Sequence, residues 1–298
     1  MSFSSEQIKK ISKEISSKVS GKTLFDEFSR GRYSTDASVY QIKPLGVILP
    51  KDTNDVLNIM DYSQRNSIPL LARGGGSSQC GQTVGESVVL DYSKHQNKIL
   101  ELNVKDKYVW VEPGVVLDHL NEYLKPYGLW FPVDVSTSSR ATIGGMSANN
   151  SCGSRSLYYG NMVHNVLAIE AILDDGSIFT FDQIEKNYLE RKNNQDRLYK
   201  IIDKFIDVRQ KVASDIKDNW PTTQRRVGGY NIDLIDPNGF NSSNLLVGSE
   251  GTLSLFNKIK LKLSEIPKNK ILGVCYFDNF HQAMELAKEI VKLKPTCV

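Results

Sequence analysis

The 298-residue sequence predicts an α+β fold built as two units, and three observations carry that reading. Short apolar runs alternate with stretches of helical spacing from Tyr33 onward. Two loops rich in glycine and other small residues interrupt the pattern, and an Asp174-Asp175-Gly176 turn joins two apolar runs. With 40% hydrophobic and 24% charged residues, the chain can bury one large core or two ordinary ones.

Residues 1–32 read as a helical extension. They mix Lys9, Lys10, Lys13 and Lys18 with Glu6 and Glu14, without an apolar run of secretory length. The first unit is expected over 33–130. Residues 47–49 read as a strand and 53–66 as a helix, with Asp52 or Thr53 as N-cap and Val56, Leu57 and Met60 on one face. Pro69 to Ala72 form the next buried strand, which runs into a glycine loop. Strands follow at 87–91 and 108–112, then a helix carrying Val116, Leu117, Leu120, Leu124 and Tyr127.

The second unit is expected over 131–265. It holds the second small-residue loop, a hairpin of 166–173 and 177–181, helices within 187–218, and strands again at 253–263. Residues 266–298 offer one strand at 271–277 and one helix from about Asn279 to Lys292, too little to bury a core. They read as the start of a further, incomplete domain.

Charge excludes some partners. Thirty-seven basic and 34 acidic residues leave +3, no footprint for nucleic acid. No stretch reaches the roughly 18 apolar residues of a membrane span, so a cytoplasmic protein is expected, peripheral to a membrane only through a partner. Cys80, Cys152, Cys275 and Cys297 lack CxxC spacing and assemble no metal site.

The first loop, Arg73-Gly74-Gly75-Gly76-Ser77-Ser78-Gln79-Cys80-Gly81, leaves a buried strand with consecutive unencumbered N–H groups, a phosphate cradle. A P-loop would place lysine where Gln82 stands, and a Rossmann fingerprint would place glycine where Gln79 stands. Both fail, which leaves a pyrophosphate that is held and not transferred, or a plain turn. The second loop, from Thr142 through Gly144, Gly145, Ala148, Asn149 and Asn150 to Gly153, is small at nearly every place where a flat ligand would lie. Two such loops suit a dinucleotide spanning a cleft.

Taken in order, the loop at 73–81, Val111-Glu112-Pro113-Gly114, Ala141 to Asn150, Tyr159-Gly160 and Val247-Gly248-Ser249-Glu250-Gly251-Thr252-Leu253 resemble FAD-linked oxidases of the vanillyl-alcohol-oxidase (PCMH) type. These are relatives of D-lactate dehydrogenase, the glycolate oxidase flavin subunit and D-2-hydroxyglutarate dehydrogenase. Gly81-Gln82-Thr83-Val84-Gly85 and Arg225-Arg226-Val227-Gly228-Gly229-Tyr230-Asn231 are similar to the long bacterial branch, which fuses an FAD domain, a substrate cap and an iron–sulfur region.

The resemblance implies a PCMH-type FAD-binding domain of two α+β subdomains with the first strand and helix of a truncated cap. It implies that Arg73, Gly74, Gly75, Gly76, Ser77, Ser78, Gln79 and Gly81 wrap the pyrophosphate and that Pro113 and Gly114 approach the adenosine half. Thr142, Gly144, Gly145, Ala148, Asn149 and Gly153 would line the cofactor, Val166 would meet the adenine through its backbone, and Glu250 and Gly251 would close the site beneath the ring. Ser77 stands where some members carry the histidine that attaches FAD covalently, so non-covalent FAD is expected.

The chemistry implied is oxidation of a D-2-hydroxy acid by hydride transfer to the flavin, which needs a cation for the carboxylate and a base for the hydroxyl proton. Arg225 and Arg226 are candidates for the cation and His164 a candidate for the base. The relatives take their catalytic histidine and metal ligands from the cap, so no metal is assigned here. Two alternatives stay open: an FAD-binding module that assists a partner, and a sugar or polyol oxidase on the same fold.

Overall fold

Residues 3–185, 196–223 and 225–297 are described in the computed structural model. Helix α1 (Ser5–Ser16) opens on a capping box, in which Ser4 Oγ accepts from the Gln7 N–H and the Gln7 side chain accepts from the Ser4 N–H. Ile11 and Ile15 point inward and join the first core.

That core packs on a four-stranded sheet. Along the chain come β1 (Lys22–Leu24), α2 (Glu27–Arg32), β2 (Gly46–Leu49), α3 (Thr53–Arg65), β3 (Leu70–Arg73) and β4 (Val88–Asp91), with sheet order β1-β2-β4-β3. Strands β2, β3 and β4 are parallel, and β1 pairs antiparallel at the edge. The apolar run Val88-Val89-Leu90 is buried on both faces, as a central parallel strand requires. Asp52, one of the two caps the sequence offers, caps α3 by accepting from the Asp55 N–H. The buried Asp55 carboxylate then accepts from the backbone of Ser20, Gly21 and Lys51, which pins the segment after α1 to the helix start.

The chain continues through β5 (Ile99–Asn103), β6 (Tyr108–Val111), α4 (Leu117–Leu124), β7 (Leu129–Trp130), α5 (Ile143–Asn149), α6 (Ser156–Tyr159), α7 (Met162–Asn165), β8 (Val166–Ile172), β9 (Ile178–Phe181) and β10 (Gln183–Glu185). After these come α8 (Arg197–Lys211), α9 (Ala213–Asn219), β11 (Gly239–Asn241), β12 (Leu255–Lys262), β13 (Ser264–Glu265) and α10 (Phe280–Lys292). The second sheet is antiparallel throughout, in the order β5-β6-β12-β8-β9.

Three differences from the sequence reading stand out. First, the sequence pattern groups the strand at 108–112 and the helix after it with the first unit. Here β6 pairs with β12, and α4 sends Leu117, Leu120 and Leu124 into the second core. Their partner lies far along the chain, and no local pattern announces it. Second, β5 is an additional strand that the apolar pattern of 99–103 does not announce, since two of its five residues are exposed. Third, residues 271–277 form no strand: they meet no neighbouring strand, Ile271 is 98% exposed, and an unpaired ladder gains nothing from extending.

The hairpin is as expected, with β8 and β9 joined through Gly176 at φ +80°. Helices α8 and α9 meet the expected helical spacing, whereas the stretch 187–195 lies outside the described residues. Helix α8 buries Ile202 and Ile206 against Ile184, Ile235 and Phe240. Helix α10 is capped by Asn279 and buries none of its residues. Among the described residues, no helix is long and apolar enough to cross a membrane, and no cluster of His, Cys, Asp and Glu could hold a metal ion.

Candidate functional site

A cleft of about 420 Å³ opens where the two cores meet, lined by the loop after β3, by the stretch leading into and along α5, and by the loop before β12. Arg73, the last residue of β3, gives the first loop its shape. Its guanidinium turns back to donate to the carbonyls of Tyr33 (3.4 Å), Thr83 (3.0 Å) and Thr35 (2.8 Å), and it stands 5.2 Å from the centre of the Tyr33 ring. Burial lowers the Arg73 pKa while Asp91 opposes that shift. Asp91 itself accepts from the Tyr33 hydroxyl at 2.6 Å and from the Ser93 N–H at 2.8 Å. Arg73 is therefore a staple holding the loop at its edge.

The glycines press the loops together. A Cβ on Gly74 would lie 2.0 Å from Thr142 Oγ1, one on Gly75 2.2 Å from the Arg140 carbonyl, and one on Gly144 2.6 Å from Pro113 Cβ. The Gly144 N–H donates to the Pro113 carbonyl at 2.8 Å, closing that seam. Thr142 caps α5 by accepting from the Gly145 N–H at 3.3 Å. The N–H groups of Gly74, Gly75, Gly76, Ser77 and Ser78, all residues of the cleft lining, find no acceptor among the described residues. They are available to an anion in the cleft.

Glu250 ties the rim. Its carboxylate accepts from Gln82 Nε2 at 3.2 Å and from Asn149 Nδ2 at 2.7 Å, so it bridges both loops. Its own N–H donates to the Ala148 carbonyl, and the chain turns through left-handed conformations at Glu250 (φ +49°) and Gly251 (φ +80°).

Of the residues singled out in the sequence, Arg73 through Gln79, Pro113, Thr142, Gly144, Gly145, Ala148, Asn149, Glu250 and Gly251 line the cleft together. Gly81, Gly114, Gly153 and Val166 do not. Gly81 backs onto the Tyr40 ring, Gly114 onto the Tyr92 carbonyl and Gly153 onto Asp134. The Val166 side chain is in the core and its carbonyl accepts from Asn241 Nδ2 at 2.9 Å. Cys80 and Cys152, small residues of the two loops, line the cleft as well, whereas sequence reasoning missed Tyr92, Ser254, Leu255 and Phe256 on its wall. Tyr92 follows β4 and Ser254 precedes β12, so these four come to one wall from segments far apart in sequence.

The paired arginines separate. Arg226 is bound to Asp233 at 2.7 Å and lies 4.9 Å from the Trp220 ring centre, so its charge is already engaged. Arg225 is exposed and directs Nε and Nη2 to Cys152 Sγ at 3.3 and 3.2 Å, on the cleft wall. His164 Nδ1 accepts from the Asn161 N–H at 3.0 Å, off the cleft wall. Burial, and secondarily the Arg226 charge, hold its pKa below the ordinary 6.5. That nitrogen is occupied and cannot take a proton from a substrate.

Residues 44–182 match the family described as FAD binding domain. The chain is 36% identical over 272 residues to D-2-hydroxyglutarate dehydrogenase of Haemophilus influenzae, covering 87% of this chain and 26% of that protein. It is 33% identical over 288 residues to the Escherichia coli protein of the same name, covering 93% of this chain and 28% of the relative. The chain thus spans little more than a quarter of these relatives, 26% and 28% of their lengths. A solved structure of alkyldihydroxyacetonephosphate synthase superposes with a TM-score of 0.64 at 17% identity, covering 92% of this chain and 44% of that one; at that identity the likeness concerns the fold.

Proposed function

We propose, from the match of residues 44–182 to the family described as FAD binding domain, that the chain is the cofactor-holding portion of a flavin enzyme that oxidises a D-2-hydroxy acid, such as D-2-hydroxyglutarate or D-lactate, to the 2-oxo acid. The observation that carries the reading is the cleft itself. Its glycine seams exclude side chains, and the N–H groups of Gly74 to Ser78 in its first loop find no acceptor among the described residues. These features fit a long, partly anionic group. FAD supplies the hydride acceptor when bound.

The chain's own residues would do the holding. Backbone N–H groups of Gly74 to Ser78 would take the diphosphate. Thr142, Gly144, Gly145, Ala148 and Asn149 would flank it, and Glu250 would close the rim. Arg225, free of any carboxylate partner among the described residues, is the better placed cation for a substrate carboxylate, because Arg226 is committed to Asp233. Ser77 supports non-covalent attachment, since a hydroxyl cannot form a histidyl–flavin bond. Yellow colour staying with the acid-precipitated protein would refute that point.

The span of about a quarter of the relatives supports a further arm of the proposal: cap, catalytic base and an electron acceptor, whether an iron–sulfur region or a partner protein, lie in polypeptide outside these 298 residues. A cytoplasmic setting, peripheral to a membrane through that acceptor, belongs to the same proposal. So does a division of the chain into an extension (1–32), two FAD-binding subdomains and the start of a cap from 266, with β5 and β6 assigned to the second subdomain. The test is anaerobic: FAD-loaded chain mixed with D- and L-2-hydroxy acids, with flavin absorbance followed. D-selective bleaching is expected if the chain suffices for chemistry. With cap and base assigned outside the chain, bound FAD that no hydroxy acid bleaches, with D-selective bleaching restored by the longer polypeptide, fits the proposal; a longer polypeptide that no hydroxy acid bleaches either would favour the second reading, a binding module that serves a catalytic partner.

A further inference from the structure

We infer that a second cavity, formed where β1, α2, β2 and the turn after β4 come together, binds a small organic dianion, either a phosphate monoester or a dicarboxylate. The cavity measures about 360 Å³ and shares no lining residue with the cleft described above. Three cations line it: Lys22 from β1, Arg32 from the end of α2 and Lys94 from the turn after β4. None of the three has an ion-pair partner among the described residues.

The carboxylates that could neutralise them are occupied. At the start of α2, Asp26 caps the helix and Glu27 is bound by both Arg30 and Lys43. Asp91 is the acidic residue of the lining, and it accepts from the Tyr33 hydroxyl and the Ser93 N–H while standing opposite Arg73 in the β3–β4 pairing. Burial, and then that hydrogen bond to Asp91, raise the Tyr33 pKa, so the phenol adds no charge. Even with the full charge of Asp91 set against the three cations, two positive charges are left over. Like charges gathered around a concave surface repel one another and raise the local potential, and an anion relieves both effects. Two charges call for a dianion. The arginine fork and the two lysine ammonium groups suit phosphate and carboxylate oxygens alike. Leu24 and Leu49 make part of the wall apolar, which gives the ligand's carbon body a surface to pack on.

This site does not rest on the flavin reading, and the test keeps the two apart. The chain is titrated by calorimetry with glycerol 2-phosphate and with succinate, at matched ionic strength, first without flavin and then loaded with FAD. Acetate and glycerol serve as the monoanion and the neutral control. One dianion is expected to bind, more tightly than acetate, and which of the two binds better identifies the charged group. Lys22→Gln, Arg32→Gln and Lys94→Gln should each weaken that dianion roughly threefold to tenfold, the scale of one charge-assisted hydrogen bond at an exposed site. Their melting temperatures should match wild type, because these exposed side chains have no ion pair to lose. Lys211→Gln on α8 removes the same charge from a side chain that is 70% exposed, and it should leave the affinity unchanged. Equal weakening by Lys211→Gln would reduce the binding to diffuse charge attraction and overturn the inference. Loss of dianion binding on loading with FAD would place the dianion on the first loop and overturn it too, as would binding of neither dianion. A chain that takes up no flavin but holds the dianion through these three cations would refute the cofactor reading and leave this site standing.

Discussion

Replacing Gly74 by alanine probes whether the first loop is shaped by packing against the second. The backbone does not forbid the change, since Gly74 is not among the glycines with positive φ. The space does. The new Cβ would sit 2.0 Å from Thr142 Oγ1 and 3.2 Å from Thr142 Cβ. Thr142 is 1% exposed and cannot swing into solvent. The loop must therefore retreat or the threonine must leave its rotamer and give up its cap on α5. Overpacking of this kind costs ~1–3 kcal/mol and loss of a cap ~1 kcal/mol, so Gly74→Ala should destabilise by about 2–4 kcal/mol. Thr142→Ala alone should cost about 1 kcal/mol. In the double variant the oxygen is gone and only the 3.2 Å contact remains, which a shift of a few tenths of an ångström relieves. The double variant should thus be at least as stable as Gly74→Ala, a coupling of roughly 1–3 kcal/mol away from additivity. Urea unfolding of the four proteins measures it. Strict additivity, or a Gly74→Ala midpoint indistinguishable from wild type, would refute the seam.

The remaining expectations concern charges. Arg226→Ala should leave the mostly buried Asp233 carboxylate unpaired and destabilise by about 2–3 kcal/mol, less than for a fully buried pair because both side chains are about a fifth exposed. Arg225→Ala should stay within ~0.5 kcal/mol of wild type in the same unfolding assay; equal losses would contradict the separation of the two. His164 has a folded-state pKa below 6.5. Its stabilising share is therefore intact above pH 6.5 and falls as pH drops, because the unfolded chain takes up a proton first; the fall ends once folded His164 is protonated as well. His164→Gln should flatten the unfolding midpoint over that acidic window, and an unchanged slope would count against the assignment. Glu250→Ala should unlink Gln82 from Asn149 and speed FAD dissociation several-fold while costing under ~1 kcal/mol of stability, as stopped-flow release and urea unfolding would show.

The parts of this molecule legible in its sequence are those whose cause is local. Asp52 caps α3 because its own side chain reaches three residues on, and Asp174-Asp175-Gly176 turns because glycine accepts a positive φ. The two small-residue loops were equally visible, since small side chains are a property of the residues themselves. The pairing of β6 with β12 was not visible, because the two strands are distant in sequence; nor were Tyr92 and Ser254 on the cleft wall, which follow β4 and precede β12 in two different sheets. The arginines show the same limit. Two adjacent residues of identical chemistry diverge because Asp233 and Trp220 wait beside one of them, and Cys152 beside the other.

The glycine loops can be read in two ways that make different demands, and the structure separates them along a single stretch of chain. Small residues are needed where a ligand lies against the backbone, and they are needed where two backbones touch. Gly74, Gly75 and Gly144 meet the second demand, with protein atoms between 2.0 and 2.6 Å from any added Cβ. Ser77 and Ser78 already carry side chains, and their contribution to the cleft is the unpaired N–H. Substitution at the glycines should therefore lower stability before it lowers affinity. Ser77→Ala keeps the N–H and the backbone, so unfolding and FAD affinity should both stay near wild type. Ser77→Pro removes that N–H, and its FAD affinity should fall beyond what its urea midpoint accounts for. A Ser77→Pro chain that unfolds like wild type and still holds FAD at wild-type affinity would show that the loop's backbone does not bind the diphosphate.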